Sequence, residues 1–417
     1  QRMMKTLVSV LYAVGMPIYL LGLKLIAILG HKKAKLLVDG REETWKKLKG
    51  YDNSQPCIWI HAASLGEFEQ GRPLIEAIRA KHIDEKIVLT FYSPSGYEVR
   101  KNYKEVDMVC YLPADSRANA KRFIESINPG VVFFVKYEFW YHFINQLNRR
   151  NIPLYGISMI FRKEQPFFLS WGEWFRSMLR KFEHIYVQDS VSADLLETIG
   201  ILESKYTVAG DTRFDRVLKI SESSPSVPIV EDFVKDAKKV IVMGSAWPPD
   251  DDILFPYICD NSKDVKLIVA PHEIHEERIK SLTAKLKVKY TLYTEPDEAI
   301  ASSKVLVVNT IGLLSTIYKY GHIAYIGGGF GVGIHNTLEA ATYSIPVIFG
   351  PNYKRFKEAC DLIECGGGYS VTTGMQLRSL LDSFEQDSQK LSSSGVAAGE
   401  YVKSMCGATE RIMTDIF

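Results

Sequence analysis

The chain has 417 residues, 46% of them hydrophobic and 24% charged, with a formal net charge of +2. This length exceeds one typical hydrophobic core and predicts two domains of about 150–200 residues each. A nucleic-acid-binding protein would carry a strong basic excess, which this composition lacks, so no nucleic-acid partner is predicted.

Six cysteines are scattered along the chain without a C-x-x-C pair: Cys57, Cys110, Cys259, Cys360, Cys365 and Cys406. This pattern predicts reduced core thiols of a cytosolic protein, with neither a disulfide framework nor a zinc site. No cluster of histidines, cysteines or acids has metal-ligand spacing in the sequence. We therefore predict no metal site and no cofactor.

The N-terminal segment is strongly apolar. Thr6 to Leu23 form eighteen residues without a charge, just enough for a helix to span or deeply enter a bilayer. Lys24 and the sequence HKKAK follow, and these cations favour a cytoplasmic position for the rest of the chain. Residues 1–30 are therefore predicted to form a membrane anchor or interfacial helix. A buried core helix and a cleaved signal peptide are the alternatives.

From residue 56 onward, short apolar runs alternate with amphipathic stretches. Thirteen runs have the pattern of buried strands: CIWIHA, KIVLTFYS, MVCYLP, GVVFFVKYE, PLYGISM, HIYVQD, YTVAG, KVIVMGSA, VKLIVAPH, KYTLYT, VLVVNT, IAYIGGG and PVIFGP. This alternation predicts parallel sheets covered by helices on both faces, which is the α/β fold class.

A polar, proline-bearing stretch, Ser221 to Asp232, divides these runs into two groups. We predict two doubly wound, Rossmann-like domains that face a cleft and follow the N-terminal helix. The predicted boundaries are 31–220 for the first domain, 221–235 for the linker, 236–400 for the second domain and 401–417 for a C-terminal helix.

Two carboxylates follow predicted strands of the first domain. Glu67 stands at the strand-to-helix turn of IWIHAASLGEFEQ, and Glu138 stands in VKYEFW. Ligands of such sheets bind outside the carboxyl ends of the strands, so both acids are candidate active-site residues. Either acid alone could be a helix cap or a solvated carboxylate. A rival interpretation takes Ser64, in AASLG, as a degenerate G-x-S-x-G nucleophile, although Ala62 replaces the first glycine.

A glycine-rich loop follows a predicted strand of the second domain, in AYIGGGFGVGIHNTLEAA. Its backbone N–H groups, with a helix predicted to start near His335 and Asn336, favour an anion. The spacing fails both G-x-G-x-x-G and the Walker A motif, which disfavours an NAD enzyme and a P-loop NTPase. Glu339 could accept hydrogen bonds from a ribose or only complement the helix dipole. His335 could be a ligand or a packed histidine.

An aromatic stretch in the first domain, FRKEQPFFLSWGEWFRSMLRKF, has helical spacing of its large side chains: Phe167, Phe168, Trp171, Trp174 and Phe175. Such a stripe is usually part of a core. The cations that flank it also allow an interfacial helix that contacts a phosphorylated lipid: Arg162, Lys163, Arg176, Arg180 and Lys181.

Several of these motifs together resemble one enzyme family. HAASLGE, YEFW, AGDTRFD, GGGFGVGIHNTLEAA and PVIFGPNYKRFKEA, in this order, resemble the Kdo transferases. These inner-membrane enzymes move 3-deoxy-D-manno-octulosonic acid (Kdo) from CMP-Kdo onto a lipid A precursor. The resemblance covers nearly the whole chain. It implies a GT-B fold, transfer without a metal, inversion at the anomeric carbon and a place at the cytoplasmic face of the inner membrane.

The resemblance also implies roles for individual residues. Glu67 resembles the general base of the family, and Glu138 and Arg213 resemble residues that stabilise the transition state. The first domain would bind the acceptor and the second CMP-Kdo. The residues that resemble the CMP site are Pro271, His272, Ile311, Gly312, Leu313, Asn336, Thr337, Leu338 and Glu339.

Two positions depart from the family pattern. The family commonly has an arginine where His272 stands and a glutamate where Leu313 stands. His275 or Arg278 are candidates to compensate for them. The alternative functions are another GT-B glycosyltransferase that uses a UDP-sugar, and a non-catalytic, membrane-tethered nucleotide-binding protein.

Overall fold

The computed structural model of the chain describes residues 2–81, 84–331 and 333–417, with side chains from residue 8 onward. The chain forms two compact units. The first unit comprises Gln1–Asp215 together with Gly407–Phe417, and the second comprises Arg216–Cys406.

The first unit is built on a parallel seven-stranded sheet. Its strands are β1 (Cys57–Ala62), β2 (Lys86–Phe91), β3 (Met108–Tyr111), β4 (Pro129–Val135), β5 (Leu154–Met159), β6 (His184–Val187) and β7 (Tyr206–Val208), in the order β3-β2-β1-β4-β5-β6-β7. Its helices are α1 (Arg2–Ile28), α2 (Lys32–Lys49), α3 (Leu65–Lys81), α4 (Pro94–Arg100), α5 (Arg117–Ile127), α6 (Tyr141–Arg149), α7 (Glu173–Leu179) and α8 (Ser190–Thr198). Helix α9 (Thr212–Glu222) leads into the second unit.

The second unit repeats this plan. Its strands are β8 (Val240–Ala246), β9 (Lys266–Pro271), β10 (Tyr290–Leu292), β11 (Val305–Val307), β12 (Ile323–Ile326), β13 (Val347–Phe349) and β14 (Gly368–Ser370), in the order β10-β11-β9-β8-β12-β13-β14. Its helices are α10 (Pro228–Val234), α11 (Pro248–Ile258), α12 (Glu276–Ala284), α13 (Leu314–Ile317), α14 (Leu338–Ala341), α15 (Lys357–Glu364), α16 (Gly374–Gln386) and α17 (Ser388–Ser404). Helix α18 (Ala408–Ile416) belongs to the first unit.

Helices cover both faces of the first sheet, which explains why its central strands are mostly apolar and buried. All six residues of β1 are buried. On one face, Trp59 packs edge-on against Phe123 of α5 and Phe143 of α6. On the other face, α3 and α18 close the core, with Ile75 and Ile412 fully buried. Each such side chain contributes about 1.5–3 kcal/mol by leaving water.

The predicted α/β fold class is confirmed. Every one of the thirteen predicted runs contains a strand, and only β14 was missed. The stretch predicted as a linker, 221–235, contains helix α10, and the stretch 401–417 contains the end of α17 and all of α18. The domain boundaries themselves stay a prediction.

Helix α1 combines an apolar surface with a docked face. Val8–Ile28 has a mean hydropathy of 1.8, and among the described residues α1 is the one helix long and apolar enough to cross a membrane. Ser9 nevertheless accepts a hydrogen bond from Trp174 Nε1 at 2.9 Å, and the Tyr12 hydroxyl bonds to Asp115 at 2.6 Å. The opposite face is exposed and carries Val10, Leu11, Val14, Ile18, Leu21, Leu25 and Ile28.

The aromatic stretch of the first unit is mainly core. Phe167 and Trp174 are buried, while Trp171 is exposed. Only its second half is an α-helix, α7. Arg176 and Arg180, which suggested a lipid contact in the sequence, both pair with Glu173 of the same helix.

Candidate active site

The first sheet reverses its strand order between β1 and β4. These two parallel strands are neighbours, with Ile60 opposite Phe133, and the chain continues from them to opposite sides of the sheet. Ligands bind at such a switch point, outside the carboxyl ends of the strands. The segment after β1 carries Glu67 and the segment after β4 carries Glu138, so the structure places both predicted acids at this switch point.

Glu67 lies in the first turn of α3 and is partly exposed. The helix N-terminus stabilises a carboxylate at this position. The Ser64 hydroxyl donates a hydrogen bond to Glu67 Oε2. Within the described part of the chain, no histidine is hydrogen-bonded to Ser64, so the nucleophile interpretation of this serine finds no support in the geometry.

Glu138 is 7% exposed and belongs to a buried hydrogen-bond network. Its Oε2 lies 2.9 Å from His61 Nε2 and accepts a hydrogen bond from Trp140 Nε1 at 2.7 Å. His61 is fully buried, and its Nδ1 lies 2.8 Å from Thr90 Oγ1. Lys136, with φ 65°, takes the left-handed conformation in the turn that leads from β4 to Glu138. The network holds this carboxylate in one orientation.

Tyr137 is the residue that precedes Glu138. Burial raises the pKa of Tyr137, and the Glu67 carboxylate raises it further, whereas Arg162 lowers it. Glu67 therefore lies within electrostatic range of the residue that precedes Glu138. Two carboxylates of different exposure thus share one end of the sheet.

Arg213 lies at the start of α9 and is held by Asp211. Its Nε donates to Asp211 Oδ2 at 2.8 Å, and its Nη2 lies 2.7 Å from the same oxygen. Asp211 is 4% exposed and also accepts a hydrogen bond from Gln70 of α3 at 3.1 Å. Arg213 is thereby tied to the helix that carries Glu67. Its charge is partly compensated by Asp211, which the sequence analysis did not anticipate.

The second sheet has the same kind of switch point, between β8 and β12. Trp247 follows β8, and the glycine-rich loop Gly327–Gly333 follows β12. Asp250 joins them, because it accepts hydrogen bonds from the backbone N–H groups of Trp247 and Gly328, both at 2.9 Å. Gly328 has φ 92°, and a Cβ on Gly327 would collide with the carbonyl oxygen of Ser245, so both positions require glycine.

Three rings stack beside this loop. The ring centroids of Trp247 and His272 are 4.5 Å apart, and those of His272 and His335 are 4.4 Å apart. Trp247 Nε1 donates to His335 Nε2 at 3.0 Å. Burial, with a contribution from His272, lowers the pKa of His335 to about 4. His335 is therefore a neutral, packed histidine at pH 7.

The predicted nucleotide residues after β9 and β11 lie on two loops. Pro271 ends β9 and His272 joins the ring stack. Ile311 is 78% exposed, Gly312 has φ 88° and Leu313 precedes α13. Nothing in the geometry ties Leu313 to a polar role, in keeping with the loss of the family glutamate.

The predicted nucleotide residues after the glycine loop surround α14. The helix begins at Leu338, slightly later than predicted, and has only four residues. Asn336 Oδ1 accepts from the Leu338 N–H at 3.0 Å, and its Nδ2 donates to Glu339 at 3.2 Å. Thr337 is fully buried, and its Oγ1 has no hydrogen-bond partner among the described residues. The helix dipole of so short a helix is weaker than the sequence suggested.

Arg278, a candidate to compensate for the arginine that the family has at position 272, is paired with an acid. It is 5% exposed and makes two hydrogen bonds to Asp251, at 2.7 and 2.9 Å. His275 caps α12 by accepting from the Arg278 N–H at 3.2 Å. Compensation by Arg278 stays a prediction, with its guanidinium paired to Asp251.

Arg355 is a candidate residue that the sequence analysis missed. A Cβ on Gly333 would collide with Arg355 Nη2, which places this guanidinium against the glycine loop. Its signal in the sequence was its position shortly after the run PVIFGP, one strand beyond the loop. Among the described residues, no three His, Cys, Asp or Glu side chains gather as a possible metal site.

Two parallel doubly wound sheets, each with candidate residues at its switch point, define the GT-B class of α/β proteins. The UDP-GlcNAc 2-epimerase of Neisseria meningitidis, solved with UDP-GlcNAc bound, superimposes with a TM-score of 0.60 at 13% identity, over 86% of this chain and 99% of that one. A likeness at this identity supports the fold alone.

The family follows from the sequence comparisons. The family described as 3-deoxy-D-manno-octulosonic-acid transferase matches residues 40–216. The Kdo transferase of Rickettsia felis is 26% identical over 72% of this chain and 65% of its own length. The Aquifex aeolicus enzyme of the same name is 26% identical over 78% of this chain and 85% of its own. The chain thus spans slightly less than two thirds of the first of these relatives and most of the second. The family match, together with these relatives at modest identity, supports the Kdo transferase family of glycosyltransferases.

Proposed function

We propose that the protein transfers Kdo from CMP-Kdo to a lipid A precursor of the lipid IVA type, with inversion and without a metal. The observation that carries the proposal is the pair Glu67 and Glu138 at the switch point of the first sheet. The family match supports the reaction type, and the ring stack and glycine loop of the second unit support a nucleotide site.

Glu67 is proposed as the general base. An acceptor hydroxyl must lose its proton as its oxygen bonds to the anomeric carbon of Kdo, and a partly exposed carboxylate can take that proton. Attack from the side opposite the departing CMP inverts the anomeric centre. Glu138 is proposed to stabilise the positive charge that develops on the sugar ring, because His61 and Trp140 hold its carboxylate in place.

The departing CMP carries a growing negative charge on its phosphate. The N–H groups of the glycine loop are proposed to receive this phosphate, with the Arg355 guanidinium beside Gly333 as the nearby cation. Arg213 is proposed to act together with Asp211 and not as an isolated charge. Positive groups of the protein are thus proposed to neutralise the leaving phosphate, as a divalent ion does in other transferases.

The acceptor is a membrane lipid, and the exposed apolar face of α1 supports a location at the membrane. We propose that this face rests in the cytoplasmic side of the inner membrane. A helix with a polar docked face and an apolar free face is suited to lie in the interface.

One incubation tests the proposed function. The protein, CMP-Kdo and a tetraacyl lipid A precursor are combined, and the products are analysed by mass spectrometry. We expect the mass of the acceptor to increase by one or more Kdo residues, with release of CMP. Stronger competition by UDP than by CMP would favour a UDP-sugar transferase. Complete absence of turnover, in a protein that still binds CMP, would favour the non-catalytic alternative.

A further inference from the structure

We propose that a pocket between α1 and α2 binds an acyl chain of the phosphorylated acceptor lipid, while Arg41 binds an anionic group of the same molecule. This inference rests on the proposed function, because it names a subsite for the proposed acceptor. It lies entirely within the first unit.

The pocket has the size and lining of a site for a hydrocarbon chain. Its volume is about 420 Å³, within the range of small-molecule sites. Most of its wall is apolar and comes from α1, α2 and the segment after β3: Pro17, Leu20, Leu23, Val38, Trp45 and Pro113. Leu21 lines the pocket and is also 62% exposed. The pocket therefore opens beside the apolar face of α1, and an acyl chain can enter it from a lipid phase.

Arg41 gives the pocket a charged end. The residue is 8% exposed, and its Nε donates to the Leu112 carbonyl oxygen at 3.3 Å. Its Nη1 is buried without a hydrogen-bond partner, and Arg41 makes no ion pair with any residue that the structure describes. A buried cation without a counter-ion lowers the stability of the fold. A buried donor without an acceptor indicates that a partner is missing.

An anionic ligand group is the partner that fits Arg41. A guanidinium binds phosphate through paired hydrogen bonds and requires no deprotonation of its own. Two further charged residues line the pocket, Lys24 and Glu42, but both are exposed and of opposite sign, so they largely offset each other. Arg41 is thus the buried charged residue that would contact the ligand.

The charged end of the pocket is connected to the candidate active site. The Arg41 guanidinium lies 5.0 Å from the centre of the Tyr92 ring. Tyr92 stacks on Trp140 with centroids 4.8 Å apart, and Trp140 donates to Glu138 at 2.7 Å. A lipid that binds here places its polar head near Glu138, as an acceptor must.

Binding is measured on the full chain in detergent micelles, without CMP-Kdo. The ligands are a tetraacyl, bisphosphorylated glucosamine disaccharide, its fully deacylated form, and phosphatidylglycerol. The variants are Arg41→Gln, which removes the charge, and Leu20→Trp, which fills the pocket and leaves the charge. Leu25→Trp, on the exposed face of the same helix and outside the pocket, is the matched control. Melting temperature and CMP binding report on folding.

We expect Arg41→Gln and Leu20→Trp each to weaken binding of the tetraacyl ligand about tenfold or more, with unchanged CMP binding and no loss with Leu25→Trp. Wild-type affinity in both variants overturns the inference. Equal binding of phosphatidylglycerol would identify a site for bulk lipid, and equal binding of the deacylated ligand would remove the acyl subsite. Because no Kdo is present, a failure here is separate from a failure to transfer Kdo.

Discussion

Tyr12 of α1 donates a hydrogen bond of 2.6 Å to Asp115, a carboxylate that is 1% exposed. Asp115 also accepts from the backbone N–H groups of His142 and Phe143, at the start of α6. One buried carboxylate thus fixes the N-terminal helix and a helix of the sheet domain together. This bond makes α1 part of the folded unit, although most of its surface is apolar and exposed.

We predict that Tyr12→Phe lowers the free energy of unfolding by roughly 1–2 kcal/mol, because a buried carboxylate loses a donor. Chemical denaturation of the detergent-solubilised protein measures this. Tyr19→Phe is the matched control, since the Tyr19 hydroxyl bonds to Tyr92 in an exposed position. Equal stability of wild type and Tyr12→Phe would mean that α1 is only loosely attached.

The role of Glu67 is tested by Glu67→Gln, which keeps the shape and removes the ability to take a proton. Loss of a general base typically slows a reaction by about 10²–10⁴-fold. We expect that loss in Kdo transfer, with CMP binding within a few-fold of wild type and little change in melting temperature. Glu76→Gln, on the same helix and paired with Arg72, should transfer at close to the normal rate. Near-normal transfer by Glu67→Gln would make Glu67 a helix cap and direct attention to Glu138.

Arg355→Gln tests the cation beside the glycine loop. If Arg355 stabilises the phosphate of CMP, its removal should weaken CMP binding roughly tenfold, as the loss of one charge-assisted hydrogen bond does. Calorimetric titration with CMP measures the change. Lys354→Gln, at the neighbouring exposed position, is the control for general surface charge. An unchanged affinity for CMP would leave the loop N–H groups as the main phosphate contact.

Metal independence is tested with a chelator. If the loop N–H groups and protein cations neutralise the leaving phosphate, Kdo transfer should continue at its normal rate in excess EDTA. Rates are compared before and after chelation with the same enzyme and substrates. A loss of turnover that magnesium or manganese restores would contradict the proposal.

The stability of the second unit should depend on pH through His335. Its pKa is lowered to about 4 in the folded state, from an ordinary value of 6.5, by burial and by His272. Between these values the unfolded chain binds the proton and the folded chain does not, so stability falls as pH drops from 6.5 to 4. His335→Gln keeps an acceptor for Trp247 and should flatten this fall in melting temperature. The exposed His275→Gln is the control. Parallel curves for His335→Gln and wild type would contradict the assignment.

The sequence allowed most strands to be predicted because they are buried on both faces. An apolar run such as CIWIHA needs no knowledge of its neighbours to be recognised, and it is β1 residue for residue. Strand β14 was not predicted because it is three residues long, starts with a glycine and lies at the sheet edge. Local periodicity carries little information about such a strand.

The candidate site was predictable in its positions but not in its partners. Glu67 and Glu138 were found because each follows a recognisable strand. The bond between His61 and Glu138 joins residues 77 positions apart, and the bond between Gln70 and Asp211 joins residues 141 positions apart. Local spacing does not encode such pairs, because they exist only after the sheet has assembled. The sequence therefore did not predict that His61 holds the Glu138 carboxylate or that Asp211 pairs with Arg213.

Helix α18 has a consequence for biosynthesis. Asp215 accepts hydrogen bonds from the backbone N–H groups of Gly407 and Thr409, and the first of these bonds spans 192 residues. During translation, the ribosome therefore completes the first sheet well before the segment that covers the apolar side of α3 has been made. Until then, that side lacks its native cover. A protein truncated after Asp215 would leave this surface of α3 uncovered. Fusing residues 407–417 to the truncated protein would restore the cover that α18 provides.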